Sequence, residues 1–142
     1  MNTSTLPDKK CVMIIDQNLP IGLIANTAAV LALNLGKMFP EFIGHDLKDN
    51  AGDSHHGITT IAIPILKGYG TLLKEMRQAM KAYEPNLTVI DLITATQSTK
   101  SYLDYVEQFE STPIEQLEYQ GLALCGETKV VNKFTGSLGL LR

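Results

Sequence analysis

Tryptophan is absent from this chain and aromatic residues supply only 6% of it, so Leu, Ile, Val, Ala and Met have to fill the core. An excess of positive charge is missing too. Lys and Arg number 12 against 15 Asp and Glu, a formal net charge of −3, with a sequence pI near 5.5. The basic field that gives nucleic-acid binders most of their affinity is therefore not there, and nucleic acid is not an expected partner. Cysteine is limited to Cys11 and Cys125, with no Cys-x-x-Cys and no His/Cys spacing of a zinc site. Each lies in an apolar, strand-like run, so both are expected as reduced core thiols, with a disulfide as the alternative if the two strands are neighbours. The motifs HExxH, the EF-hand loop and GxxxxGK[ST] are absent, and neither a metal nor a cofactor is expected. Gly68-Tyr69-Gly70 lacks the third glycine of a dinucleotide loop, because Leu73 stands there. The polar opening from Met1 to Lys10 has no apolar core of a signal peptide. The longest apolar stretch, Ile21 to Leu35, is broken by Gly22, Asn26, Thr27 and Asn34 and falls short of a membrane span. A cytoplasmic location is expected.

What is present is an ordinary globular balance: 142 residues, 44% hydrophobic and 19% charged. That length suits one domain, expected over residues 10–142 behind a flexible tail of residues 1–9. Lys10 to Asp16 is a short apolar run rich in branched residues, the signature of a buried central strand. A helix is expected from Pro20 to Leu35, stopped by Gly36 and buried on more than one face. Met38 to Gly57 is irregular. Ile58 to Leu66 is strand-like but contains Pro64, which predicts an edge strand or a bulge. Thr71 is expected to cap a helix through Tyr83, with apolar residues at helical spacing, that ends at Pro85. Leu87 to Ile93 is a further strand, Ser101 to Phe109 a helix, Thr112-Pro113-Ile114-Glu115 a capping box, and Tyr119 to Cys125 a last strand before a tail. Alternation of this kind predicts a three-layer α/β/α arrangement around an open, mostly parallel or mixed sheet.

Four segments taken together carry a family resemblance. They are NLPIGLIANTAAVLALNLG (Asn18 to Gly36), HGITTIAIPIL (His56 to Leu66), VIDLITATQS (Val89 to Ser98) and VNKFTGSLGLLR (Val131 to Arg142). In them the chain resembles domain-of-unknown-function family number two thousand, over essentially everything beyond Lys9, and that family is similar in fold to type II peptidyl-tRNA hydrolases. The resemblance implies a four-stranded mixed sheet with helices on both faces, a dimer, and hydrolysis of the ester joining a peptide to tRNA. Asn18-Leu19 and Gly22 stand in register with the hydrolases' Asp-Leu and Gly, while Leu23 and Ala25 occupy the places of their lysines. Asp91 with Thr96-Gln97 matches their acidic strand end and Thr-Gln pair. Thr135, Gly136, Leu138, Leu140 and Leu141 match their closing motif.

Candidate chemistry follows from place and type. Asp91 ends an apolar strand, where open α/β sheets hold their ligands; with Thr96 and Gln97 it forms the expected catalytic set, although a turn-capping role suits it as well. Thr94 and Ser98 join them as ligand-contacting groups. Asn26 is polar within an apolar helix and either faces a pocket or is satisfied by backbone. Asn18 and Thr135 enter through the resemblance, His56 as a proton carrier within a histidine- and aspartate-bearing loop. Lys133 belongs, with Lys129 and Arg142, to a small group of cations that are solvated or hold an anion. The expected function is a small-ligand or protein-binding domain, with hydrolysis of peptidyl-tRNA or another small ester as the alternative. The apolar surplus of Ile21 to Leu35, with the leucines of the last turn of chain, predicts a homodimer. Otherwise Met38, Phe39, Phe42 and Ile43 fold back to cover that helix.

Overall fold

The computed structural model describes residues 8–142, so the expected tail lies outside the described residues up to Pro7. Lys9 already opens the first strand, β1 (Lys9–Asp16). The helix that follows, α1 (Ile21–Met38), runs two residues past Gly36 because the Phe39 amide still donates to the Leu35 carbonyl. A small hairpin, β2 (Leu47–Lys48) and β3 (Ser54–His55), occupies the irregular stretch. Then come β4 (Ile65–Gly68), α2 (Gly70–Met80), β5 (Thr88–Ile93), α3 (Tyr102–Ser111), β6 (Tyr119–Glu127) and α4 (Thr128–Thr135). The main sheet has four strands in the order β4-β1-β6-β5. β4 runs parallel to β1, and β6 runs antiparallel to both of its neighbours. This is a mixed α/β fold, as the alternation of elements required.

Pro64 explains the displaced fourth strand. It cannot donate to a ladder, so regular pairing starts one residue later, at Ile65, while its carbonyl still accepts from the Met13 amide at 2.9 Å. Residues 58–64 are therefore not strand, although the edge position expected of this segment holds. The outer side of β4 is covered by the chain's last residues: Lys67 donates to the Gly139 carbonyl and Leu141 to that of Ile65. Covering an open strand edge in this way protects it from pairing with another chain. Three local expectations give way. The α2 cap is Tyr69, not Thr71. The capping box forms only a 3-10 turn, Ile114–Gln116, because the Thr112 hydroxyl donates back to the Gln108 carbonyl. The supposed tail contains α4, whose Val131 is wholly buried.

Alternation along β1 and β6 divides the core in two. Val12, Ile14, Leu122 and Leu124 pack with Leu73, Met76 and Met80 of α2 and Val131 of α4. Cys11, Met13, Ala123 and Cys125 pack with Leu31 and Leu35 of α1. Successive residues of a strand face opposite sides, so each apolar run serves both clusters. Within the chain α1 buries one stripe, Thr27, Leu31 and Leu35, and not several faces as its composition suggested. Gly121 permits that contact: a Cβ there would stand 2.5 Å from Thr27 Cγ2.

A polar seam crosses this apolar contact. Gln120 of β6 is fully buried. Its Nε2 donates to Thr27 Oγ1 at 2.9 Å, and Thr27 passes its own proton to the Leu23 carbonyl at 2.7 Å. Gln120 Oε1 accepts from Gln97 Nε2 at 3.1 Å and from Thr96 Oγ1 at 3.3 Å. One amide thus joins α1, the sheet and the 3-10 turn Thr94–Gln97. Gln120→Leu keeps the volume but removes the donor to Thr27 and the acceptor shared by Thr96 and Gln97, so unfolding in denaturant should show a loss of about 1–3 kcal/mol. An unchanged midpoint would mean that the seam contributes nothing.

The cysteines require a correction. Cys11 and Cys125 are directly opposed on β1 and β6, with Cα atoms 4.2 Å apart, and they form a disulfide rather than free core thiols. The close Cα spacing belongs to a non-hydrogen-bonded antiparallel pair. The bond closes a sequence separation of 114 residues, long enough for about 2–4 kcal/mol of stabilisation through the unfolded chain. Reductant should therefore lower the melting temperature of wild type and leave Cys11→Ser/Cys125→Ser unaffected. Equal melting with and without reductant, thiols assayed in parallel, would contradict this.

Candidate functional site

The 3-10 turn Thr94–Gln97 carries the chain from β5 towards α3, and Ser101 starts that helix by accepting the Asp104 amide at 3.1 Å on its hydroxyl. From this cap, residues at helical spacing, Tyr102, Tyr105, Val106, Phe109 and Glu110, turn one face of α3 towards α1. Asn26, Val30 and Asn34 of α1 form the opposing wall, and Asp91, Leu92 and Thr96 lie between. Together they enclose a cleft of about 490 Å³, inside the usual range for small-molecule sites. It lies beside the carboxyl end of β5, consistent with where α/β sheets hold ligands.

The aromatic wall is ordered by its own contacts. Tyr105 meets Phe109 edge-on, with ring centroids 6.1 Å apart, and the Tyr105 hydroxyl accepts the Ile93 amide at 3.1 Å. Burial pushes the Tyr105 phenol above its ordinary value; the Ile93 amide works the other way and the Asp91 carboxylate adds to the rise. Asp91 itself is not free. Its Oδ2 accepts from Arg77 Nε at 2.7 Å, and Arg77 Nη1 donates to Glu84 Oε1 at 2.9 Å. Burial opposes the Arg77 charge, but the two carboxylates outweigh it and hold the guanidinium above its ordinary range. One cation between two anions leaves this group net negative, and Glu110 adds a further carboxylate at the cleft wall.

Of the residues proposed from sequence, Asp91, Thr96 and Asn26 meet in this cleft. Gln97 is close by, held to Gln120. Thr94 is half-buried and its amide ties the turn to the Glu118 carbonyl, while Ser98 donates to the Ala95 carbonyl. Neither lines the cleft, and both serve the turn. The rest do not converge there. Asn18 is exposed beyond β1, where its amide donates to Asp16. Lys133 of α4 lies over the Tyr83 ring and donates to its hydroxyl. Thr135 is buried and donates to the Val131 carbonyl one turn back, a helix-internal role. His56 is fully solvated and lies 3.6 Å from Asp46. In the same loop His55 and the Asp53, Ala51 and Gly52 amides hold the Asp49 carboxylate below its ordinary range. Among the described residues no three of His, Cys, Asp or Glu converge as metal ligands.

Sequence reasoning missed Arg77, Gln120, Asn34 and Glu110. Asn34 recurs about two turns after Asn26 on the same largely apolar helix, and Gln120 interrupts an apolar strand, so both broke a pattern that was open to reading. Nothing local marked Arg77 as the partner of Asp91, because that pairing spans two elements.

Comparison with known proteins places the fold and leaves the chemistry open. A search of curated proteins finds no match. A solved structure of a protein of unknown function from Agrobacterium tumefaciens strain C58 superposes with a TM-score of 0.86 at 21% sequence identity. The alignment covers 95% of this chain and 98% of that one, so the two share a fold over nearly their whole lengths. Residues 9–142 match the family described as protein of unknown function, DUF2000, and the chain belongs to that family.

Proposed function

We propose that the chain is a small-ligand-binding domain whose site is the cleft between α1 and α3. One observation carries this reading: a pocket of ligand size joins an aromatic wall to amides and carboxylates, and among the described residues no lysine or arginine lines it. Its occupant is then a compact molecule with an apolar or aromatic body and a neutral or cationic polar head. Tyr102, Tyr105 and Phe109 supply faces for the body and for a cation. Asn26 and Asn34 orient polar atoms, and Glu110 offers a counter-charge.

The resemblance to type II peptidyl-tRNA hydrolases supports a second reading, with Asp91 and Thr96 in the cleft as its acidic and hydroxyl groups. The two apolar clusters, reached from alternate residues of β1 and β6, support the three-layer arrangement that this resemblance implies. Two features weigh against catalysis: Asp91 Oδ2 is committed to Arg77, and among the described residues no side-chain nucleophile in the cleft is hydrogen-bonded to a base. The absence of cleft cations also leaves tRNA phosphate without a partner.

Two measurements separate these readings. In a thermal-shift assay phenethylamine should raise the melting temperature, and phenyl phosphate should not; at a hundredfold excess over Kd a bound probe contributes about 2.7 kcal/mol. Glu110→Gln should weaken the amine several-fold, and an equal response to both probes would sink the ligand reading. Asp91→Asn provides the other measurement. It removes one of two carboxylates from a partly buried guanidinium, so it should cost about 1–3 kcal/mol of stability. A full-length protein that releases peptide from peptidyl-tRNA, and loses that release in Asp91→Asn while melting unchanged, would reinstate the hydrolase.

A further inference from the structure

Backbone hydrogen-bonding direction alternates along an antiparallel strand, so each residue of β5 serves either β6 or the outer edge. Cys11 and Cys125 are a non-hydrogen-bonded pair between β1 and β6, which turns the Cys125 backbone towards β5. Thr88, Ile90 and Leu92, opposite Cys125, Ala123 and Gly121, therefore bond β6. Leu87, Val89, Asp91 and Ile93 turn outwards. The two ends of this outer row are satisfied within the chain. The Leu87 amide donates to the Tyr83 carbonyl at 2.9 Å, and the Ile93 amide to the Tyr105 hydroxyl at 3.1 Å. The Ile93 carbonyl accepts from Thr96 Oγ1 at 3.3 Å. The middle of the row is open. Among the described residues, nothing bonds the amides or carbonyls that Val89 and Asp91 present on that side.

Proteins ordinarily guard such a row with a covering segment, an edge lysine, a proline or a bulge. The opposite edge of this sheet has its cover, since Leu140 bridges Leu66 of β4. β5 has none of these guards at its centre. Thr88–Ile93 contains no Lys, Arg or Pro, and its one irregularity falls between Leu92 and Ile93, past the open pair. Its single charged side chain, Asp91, is drawn onto Arg77 of α2. The open row also adjoins the cleft, because Asp91 belongs to both. Ile90 and Leu92 pack on the α1 side of the sheet, where the cleft lies, whereas Val89 and Ile93 pack on the α2 side.

We propose that the occupant of the cleft is a side chain borne by an extended peptide, which joins the sheet as a fifth strand along β5. This rests on the cleft reading above and names its partner. Val89 and Asp91 present their four open groups about 6.8 Å apart along the strand. A compact molecule reaches one of those residues, whereas an extended antiparallel chain satisfies both with two alternate residues of its own. Main-chain bonds of this kind give affinity, and alternate side chains give selectivity. The two faces set the peptide's pattern. Its residues opposite Ile90 and Leu92 project on the cleft side, beside Val30, Tyr105 and Phe109, where aromatic side chains fit. Its residue opposite Asp91 projects on the α2 side. There one guanidinium stands between two carboxylates, and Glu84 is 31% exposed, so a lysine or arginine is favoured. A second copy's β5 suits this edge poorly, because antiparallel pairing of Val89 with Asp91 would bring two such net-negative groups onto one face.

The probe is acetyl-Phe-Lys-Phe-Lys-amide, titrated into the full chain and followed by NMR amide exchange. The Val89 and Asp91 amides should exchange fast in the free protein and become protected in the complex. N-methylation of both lysine amides, which face β5, should weaken binding at least about tenfold. N-methylation of the inner phenylalanine amide, which faces solvent, should leave affinity within about twofold. Equal effects of the two methylations overturn strand addition, and the cleft reading survives if exchanging phenylalanine for alanine still weakens the peptide. Protection of both amides without any loss on that exchange overturns the cleft reading instead, and with it the side-chain half of this proposal. No binding at about 1 mM peptide overturns the proposal, while phenethylamine judges the cleft separately. Val89 and Asp91 amides already protected in the free chain overturn it too, and protection lost on dilution would identify a second copy on the edge.

Discussion

The contact at Gly121 governs how the rest of the molecule is arranged. Because that residue has no side chain, Thr27 and Leu31 of α1 sit directly on the backbone of β6; a Cβ would come within 2.5 Å of one and 3.2 Å of the other. Close approach brings Thr27 within reach of Gln120 and lets an amide enter an otherwise apolar layer at no cost in unpaired groups. Gln120 in turn fixes the 3-10 turn at Thr96 and Gln97, and that turn sets where α3 begins. The width of the cleft between α1 and α3 is thus decided by one glycine and one glutamine on β6. An alanine at 121 would displace α1 and open that cleft, since closely packed interiors transmit such shifts.

Strands with unbroken apolar runs were legible in the sequence because burial on both faces leaves a strong, local mark. β1 and β6 show this in Cys11 to Ile15 and Gly121 to Cys125. The edge position of the fourth strand was legible as well, because Pro64 excludes pairing on both sides. α4 was not. Its pattern of Val130, Val131 and Phe134 covers barely two turns, too little for periodicity to stand out from the polar residues around it. The cysteine pairing was hidden for a different reason. Cys11 and Cys125 lie in runs that look alike whether their strands are neighbours or not, and register across 114 residues is a property of the sheet.

The candidate site divides along the same line. Asp91 was found because a carboxylate at the end of an apolar strand is conspicuous, and Thr96 because hydroxyls cluster after it. Their roles were not legible, since a role depends on the partner. Arg77 converts Asp91 from a free acid to half of an ion pair, and Gln120 converts Thr96 and Gln97 from open ligand groups to a structural clamp. Lys133 and Thr135 show the same effect on α4, where a neighbouring ring and a backbone carbonyl absorb them. Polar residues in this chain mostly hold elements together. What they leave open is the part of the cleft faced by α3.

Helix α1 is consequently asked to satisfy three surroundings at once. Its inner stripe meets the sheet, its flank at Asn26, Val30 and Asn34 walls the cleft, and its outer stripe faces away from the chain. These demands account for a composition that looked merely hydrophobic. Charge is excluded from the inner stripe by burial, but burial cannot exclude it from Ile21, Ala25, Ala29 or Leu33, which are exposed. A solvated helix face ordinarily carries charged side chains. Their absence is a property of the outer stripe in its own right, and burial within the chain does not account for it.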